Sequence, residues 1–387
     1  MRYQLTKVFV LCFIALAIIN CSDDDNGGTI IPTTIDRTAV MTTYADLVLA
    51  NYQSALADAQ TLESTLQSFV DAPSQTTFDA AKASWLTARE SYGTSEAFRF
   101  ANGPIDTGAT EDIEGYLNSW PMDEAFVDYV AGDANAGIIN NPTLFPTISK
   151  TILVGENGNG GEEKVSIGYH AIEFLLWGQD NTDPTESQAG LREFTDFVDG
   201  GTNANQDRRR AYLMVVADLI TDHLQVMIDE WNGTYRATFL ASSEAAALTD
   251  MINSISELSR SELAIERMAV ALQNQDQEDE HSCFSDNTHR DIRLNLQGVA
   301  NVYRGSFTGV TGPSIEDIVA EADAALAAEL AALLTTAIST VNDTAIPFDL
   351  AIVGGVTSTE GVKVQAAVEA LVAFGDKLLE AKTALGI

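Results

Sequence analysis

The sequence predicts an all-α protein made of two helical-bundle domains packed side by side, and three observations carry that expectation. Apolar residues recur every three or four positions over long stretches, which places them on one face of a helix. No stretch alternates with period two for long enough to form a sheet. The later segments are long, Ala-rich and poor in Gly, a composition that favours antiparallel bundles.

The first element is a leader. Arg2 and Lys7 precede an apolar run of 12 residues from Val8 to Ile19. A spanning helix needs about 20 such residues, so residues 1–20 read as a cleavable signal. Ile18-Ile19-Asn20-Cys21 reads as a lipobox, with Asn20 where a smaller residue is commoner, and Cys21 is the expected lipidation site. Residues 21–35, with Ser22-Asp23-Asp24-Asp25-Asn26-Gly27-Gly28 at their start, form a flexible tether. The expected location is the cell envelope, as an outer membrane lipoprotein facing the periplasm or the cell surface and held to the membrane by its lipid alone.

An N-terminal helical bundle is expected over 36–150. Leu49, Tyr52, Leu56, Ala59, Leu62, Leu66 and Phe69 share one helix face, which Pro73-Ser74 ends. A second helix is predicted over 77–100, with Trp85, Ala88 and Tyr92 in one stripe, stopped by Asn102-Gly103-Pro104. Shorter helices follow near 111–119 and 123–130, and 131–168 reads as loop through its Asn, Pro and Gly clusters. The junction, 151–186, holds a short helix near 169–177. The C-terminal helical bundle, 187–387, is expected to contain helices near 205–232, 242–279, 287–303, 314–342 and 358–384, with Ser314 and Asp317 as a capping box.

Composition limits the partners. The chain has 56 acidic and 21 basic residues, a net charge of −35. Such a balance repels nucleic acid and anionic lipid headgroups and attracts cations. Without Cys12 and Cys21 the body keeps Cys283 as its one thiol, so packing rather than disulfides must stabilise it.

Of four histidines, His170 and Glu173 lie three positions apart, on one face of a helix. An imidazole and a carboxylate suit iron, zinc or manganese, although such a pair is also an ordinary structural hydrogen bond. The segment 275–289 gathers acids, His281, Cys283 and His289. It reads either as a solvated acidic turn or as groups, Glu280, His281 and His289 among them, that complete the site. His223 lies mid-helix beside Leu224 and reads as structural. Hydrolytic motifs are missing: there is no His-Glu-x-x-His, position 174 is Phe rather than the His of the inverted form, and no nucleophile elbow or phosphate loop occurs. A catalytic zinc keeps three protein ligands, one more than the sequence pairs.

The run Gly168-Tyr169-His170-Ala171-Ile172-Glu173-Phe174-Leu175-Leu176-Trp177-Gly178-Gln179-Asp180 resembles the GxHxxE signature of the imelysin family. Trp85, Arg89, Tyr92, Ser95-Glu96-Ala97-Phe98-Arg99-Phe100, Gly103-Pro104-Ile105-Asp106, Leu117-Asn118-Ser119-Trp120-Pro121 and Glu278 to His289 are similar to its other motifs. The resemblance covers roughly residues 40–385. It implies two bundles with the motif near their junction, and a cell-envelope protein tied to the uptake of iron or another metal, with a metal-uptake transporter as partner. It carries over His170 and Glu173 as metal ligands, with Glu96, Asp106 and Asp180 as further acids and Arg99 as their charge partner. The expected cofactor is a divalent or trivalent metal ion, iron first and zinc second. The alternative is a metallopeptidase using the HxxE pair, against which the ligand count speaks.

Overall fold

Helix α1 (Arg37–Asp71) begins where the Asp36 side chain accepts the Thr38 N–H at 2.9 Å, an N-cap that satisfies one orphan donor of the first turn. The computed structural model describes residues 34–107 and 113–387. The expected signal, Cys21 and the tether up to residue 33 lie outside the described residues. The expected stripe from Tyr52 to Phe69 is buried, with Leu49 at its half-buried margin. Helix α2 (Gln75–Gly93) starts from a Ser74/Thr77 capping box. Its Phe78 ring meets Phe69 of α1 at 5.1 Å.

Helix α2 stops short of the expected residue 100. Thr94–Phe98 is a 3₁₀ turn, and Phe100 has φ 63°. Hydroxyls explain the change. Ser95 Oγ donates to Tyr92 O at 2.6 Å and Thr94 Oγ1 to Ser91 O at 3.1 Å, taking carbonyls that a continuing helix would use. The loop expected over 131–168 holds two short helices, Gly137–Asn140 and Lys150–Glu156, the latter capped by Ser149. Helix α3 (Tyr169–Trp177) follows.

The second half is built from α4 (Gln206–Asn232), α5 (Glu244–Glu257), α6 (Thr288–Arg304), α7 (Ala324–Asn342) and α8 (Thr359–Leu385). A short helix, Thr234–Ala241, separates α4 from α5. Helix α5 runs on into a π-helical stretch, Leu258–Ala269, and then Val270–Asn274. The expected helix 314–342 is broken at Asp323. Its carboxylate accepts Ala325 N and Leu326 N, both at 3.0 Å, and so caps α7. The Ser314–Asp317 capping box forms one helix earlier, on Ile315–Ala322. A two-residue hairpin, Ser306–Phe307 with Val310–Thr311, is the one β-ladder among the described residues.

Ile35–Ile387 is one compact unit. Helix α1 packs against α2 and against α4, and α8 against α7 and the π-helical stretch, so helices from both halves of the chain share one continuous core. Helix α6 lies against the Thr94–Phe98 turn through Gly298: a Cβ there would stand 2.3 Å from Thr94 O. Gly298→Ala is therefore expected to cost about 1–3 kcal/mol by overpacking, read from chemical denaturation. Gly155→Ala, whose added Cβ has nothing within 4 Å, is the matched control. Equal midpoints for both variants would show that α6 is not seated on the turn.

Candidate functional site

Helix α3 enters the core because the backbone before it is glycine. Gly168 has φ 91°, and a Cβ there would meet Leu117 O at 2.7 Å, so only glycine fits. Trp85 Nε1 of α2 donates to Tyr169 O at 2.9 Å, and Trp85 packs edge-on against Trp177 at 5.3 Å. These contacts hold both ends of α3 and bury His170 and Glu173 completely.

The two side chains meet each other. His170 Nδ1 lies 2.8 Å from Glu173 Oε2. Glu173 Oε1 accepts Ser285 N at 3.0 Å and Ser285 Oγ at 2.7 Å. Both carboxyl oxygens are thus engaged, and Glu173 orients the imidazole. His170 Nε2 is buried and has no hydrogen-bond partner. The His281 ring stands edge-to-face against His170, with centroids 4.6 Å apart. It repeats the arrangement, since its Nδ1 lies 2.9 Å from Asp291 Oδ2 on α6.

Two buried guanidinium groups frame these dyads. Arg89 of α2 donates to Asn118 Oδ1 at 2.6 Å and to Asp291 Oδ1 at 3.0 Å. Arg267, from the π-helical stretch, donates to Glu96 Oε2 at 2.8 Å and to Asn295 Oδ1 at 2.5 Å. Asn118 joins the two halves. Its Nδ2 donates to Glu96 Oε1 at 3.1 Å and stands 3.5 Å from His281 Nε2.

Burial and these charges set the protonation states. Burial, then Arg89, holds His170 down at about 3; burial, then Arg267, does the same to His281. Both imidazoles are neutral at physiological pH. Burial raises Glu173 to about 8 against the pull of Ser285. The His170–Glu173 contact is therefore a neutral hydrogen bond: Ser285 occupies Oε1, the carboxyl proton sits on Oε2, and it donates to Nδ1. Burial also works to raise Asp291 and Glu96 but is outweighed. Arg89 and His281 hold Asp291 well below the carboxylate range, and Arg267 with Arg99 brings Glu96 to about 2. Ionised Asp291 takes the Nδ1–H of His281, which leaves a lone pair on His281 Nε2.

The imelysin (peptidase M75) family profile matches residues 48–378. The chain belongs to the imelysin family. It is 26% identical over 305 residues to iron-regulated protein A of Synechococcus elongatus, covering 75% of this chain and 71% of that protein. Its fold is similar to the crystal structure of an iron-regulated protein A precursor from Parabacteroides distasonis, with TM-score 0.70, 16% identity, and 92% and 97% of the two chains covered. An imelysin-like protein from Psychrobacter arcticum is similar at TM-score 0.63, 15% identity, and 91% and 97% coverage.

In this imelysin-family chain the expected site residues fall into three groups. His170, Glu173, His281 and Glu96 share the buried network. Asp106 lies on its far side: it accepts Phe100 N at 2.7 Å and stands 3.8 Å from Arg99 Nε. Arg99 sits among Glu96, Glu114, Glu262 and Asp106 at 3.3–3.8 Å. Asp180 and Glu280 belong to a separate acidic cluster with Asp286 and Asp349. That cluster, and not the His170 network, is where three ligand atoms come within 4.8 Å of one another among the described residues. His289 reaches back to Asp286 O at 2.9 Å. His223 lies against the Tyr116 ring at 5.0 Å. Arg267, Asp291 and Asn295 escaped sequence reasoning, although each is a polar residue on an otherwise apolar helix face. Asn118 and Arg89 carried the family resemblance without an assigned role.

These shifts give stability a direction with pH. Glu173 and Glu280 are raised above their ordinary value of 4.5, so their contribution is whole below about pH 4.5 and is lost as pH rises toward 8 and beyond. Glu96 and Asp291 are depressed, so theirs is whole above the ordinary carboxylate range and is lost as pH falls below it. His170 and His281 are held below their ordinary 6.5, so theirs is lost as pH falls below 6.5. Chelator-treated protein should therefore melt highest between about pH 5 and about pH 6.5 and lower at about pH 8.5, and Glu173→Gln should flatten the alkaline fall. A Tm that climbs steadily from pH 5 to pH 8.5 would contradict these assignments.

Proposed function

We propose that this imelysin-family chain is a cell-envelope lipoprotein that binds iron through His170 and His281 and hands it into an uptake system. The observation that carries the reading is the buried Nε2 of His170 without a partner. A buried polar atom left unpaired is costly, and here a carboxyl on the opposite ring nitrogen fixes its direction, the usual support of a metal-bound imidazole. His281 has the same support from Asp291. Glu96 is the carboxylate of the same network; Arg267 and Arg99 hold Oε2, while Oε1 receives the Asn118 amide. With both Glu96 oxygens already engaged, the reading rests on the two imidazoles, nitrogen donors that suit iron. The name of the Synechococcus relative, iron-regulated protein A, points the same way.

Loading a cation at Nε2 requires that nitrogen to give up its proton while Glu173 ionises and accepts from Nδ1–H. Affinity should therefore fall as pH drops below about 8, with about one proton released per ion. A peptidase needs a carboxylate free to activate water, whereas Ser285 and His170 occupy both Glu173 oxygens. The reading therefore excludes chelator-sensitive cleavage of an unfolded polypeptide.

Anaerobic calorimetric titration with iron(II) is the test. His170→Ala and His281→Ala should each weaken binding by about 10–100-fold or more, with wild-type circular dichroism. Equal affinity in wild type and both variants would end the reading. For the anchor, Cys21→Ala should shift the chain from the membrane fraction to the soluble one; an unchanged distribution would remove the lipoprotein from the proposal.

A further inference from the structure

Asp180, Asp286 and Asp349 come from three separate segments: the loop after α3, the turn before α6, and the start of the short helix Asp349–Ile352. One carboxylate oxygen from each lies within 4.8 Å of the others. Asp180 and Asp349 are 3% and 2% exposed, and Asp286 is half-buried. Glu280, with no exposure, is the independent sign of a ligand. Neither of its carboxyl oxygens has a well-formed hydrogen bond; its side chain abuts Asp349 and the Thr288 hydroxyl and faces Asp286. One oxygen each of Asp286 and Asp349 is likewise without a partner. Among the described residues no lysine or arginine pairs with any of the four acids. The His170 network differs in this respect, since guanidinium groups answer its carboxylates.

Four carboxylates gathered in a dry pocket repel one another and must either take up protons or share a cation. We infer that Asp180, Asp286, Asp349 and Glu280 form a second cation site, separate from His170, for a hard divalent ion of the calcium class. The donors are all oxygen, which excludes the softer preferences served by imidazole and thiolate. Calcium takes 6–8 oxygens at about 2.3–2.6 Å and tolerates irregular loops, whereas magnesium keeps several waters and uses one or two carboxylates. Several carboxylates supplied by separate segments match the first habit. An ion here ties the loop after α3 to the turn before α6. Ser285, next to Asp286, donates twice to Glu173, so the ion also steadies the residue that orients the His170 carboxyl partner.

The test uses the full chain, stripped with chelator and returned to one fixed pH. Calcium chloride at about 1 mM should raise the Tm by several degrees, and calcium should bind at least about tenfold more tightly than magnesium. Asp349→Asn and Asp286→Asn should raise the Tm of the stripped protein, because each removes repulsion, and should abolish the calcium shift; the higher Tm also proves that they fold. His170→Ala should keep calcium binding while losing iron(II). Wild type without a calcium heat or shift, or Asp349→Asn responding as wild type does, overturns the second site. Iron(II) binding that survives His170→Ala overturns only the reading of the first.

Discussion

Everything around His170 rests on two guanidinium groups held inside the protein. Arg89 and Arg267 are both buried, and each is matched by a buried carboxylate, Asp291 and Glu96 respectively. Removing one partner of such a pair leaves an uncompensated charge, at a cost of about 3–5 kcal/mol. The pairs are therefore poor choices for stability alone. They do set the local potential. Burial first, and then positive charge on both sides, keeps His170 and His281 neutral, and neutral imidazole is the form with a nitrogen lone pair to offer. A network that held the same rings as cations could stack them but could not ligate.

The dyads divide the labour between ring nitrogens. In each, a carboxyl group fixes Nδ1, through Glu173 for His170 and through Asp291 for His281. The two differ in charge. Asp291 is ionised by Arg89 beside it, so His281 already presents a lone pair. Glu173 lacks a guanidinium contact and retains its proton, so His170 frees a lone pair on Nε2 only when the Nε2 proton leaves and the Glu173 proton passes to Nδ1. One ring is ready and the other is gated, and the difference traces to which carboxylate Arg89 reaches.

Much of this was legible in sequence, for identifiable reasons. The all-helical class followed from apolar spacing, which tertiary packing reinforced along α1. The pairing of His170 with Glu173 followed from helical geometry, because three positions apart is one face whatever else happens. What spacing could not convey was the direction in which Glu173 points its second oxygen. That depends on Ser285, 112 residues away. Helix ends went wrong where side chains competed with the backbone, at Thr94 to Phe98 and at Asp323, a local chemistry that apolar periodicity ignores. Arg267 and Asp291 were invisible because a charge on an apolar face is read as exposed until its partner is known, and both partners lie far off in the chain.

The turn before α6 explains why acids and histidines crowd there. Its side chains alternate between two destinations. Glu280 and Asp286 go to the all-oxygen cluster, whereas His281, Ser282 and Ser285 go to the His170 network, through Asp291 and Glu173. Left-handed backbone at Asp286, φ 57°, accompanies the switch back to the cluster after Ser285. A single peptide segment therefore couples nitrogen chemistry on one side to hard oxygen chemistry on the other. Asp286 of the acidic cluster is the chain neighbour of Ser285, and Ser285 makes two hydrogen bonds to the carboxyl that holds the imidazole of His170. Such coupling needs no long pathway, because the two sites share one short run of covalent backbone.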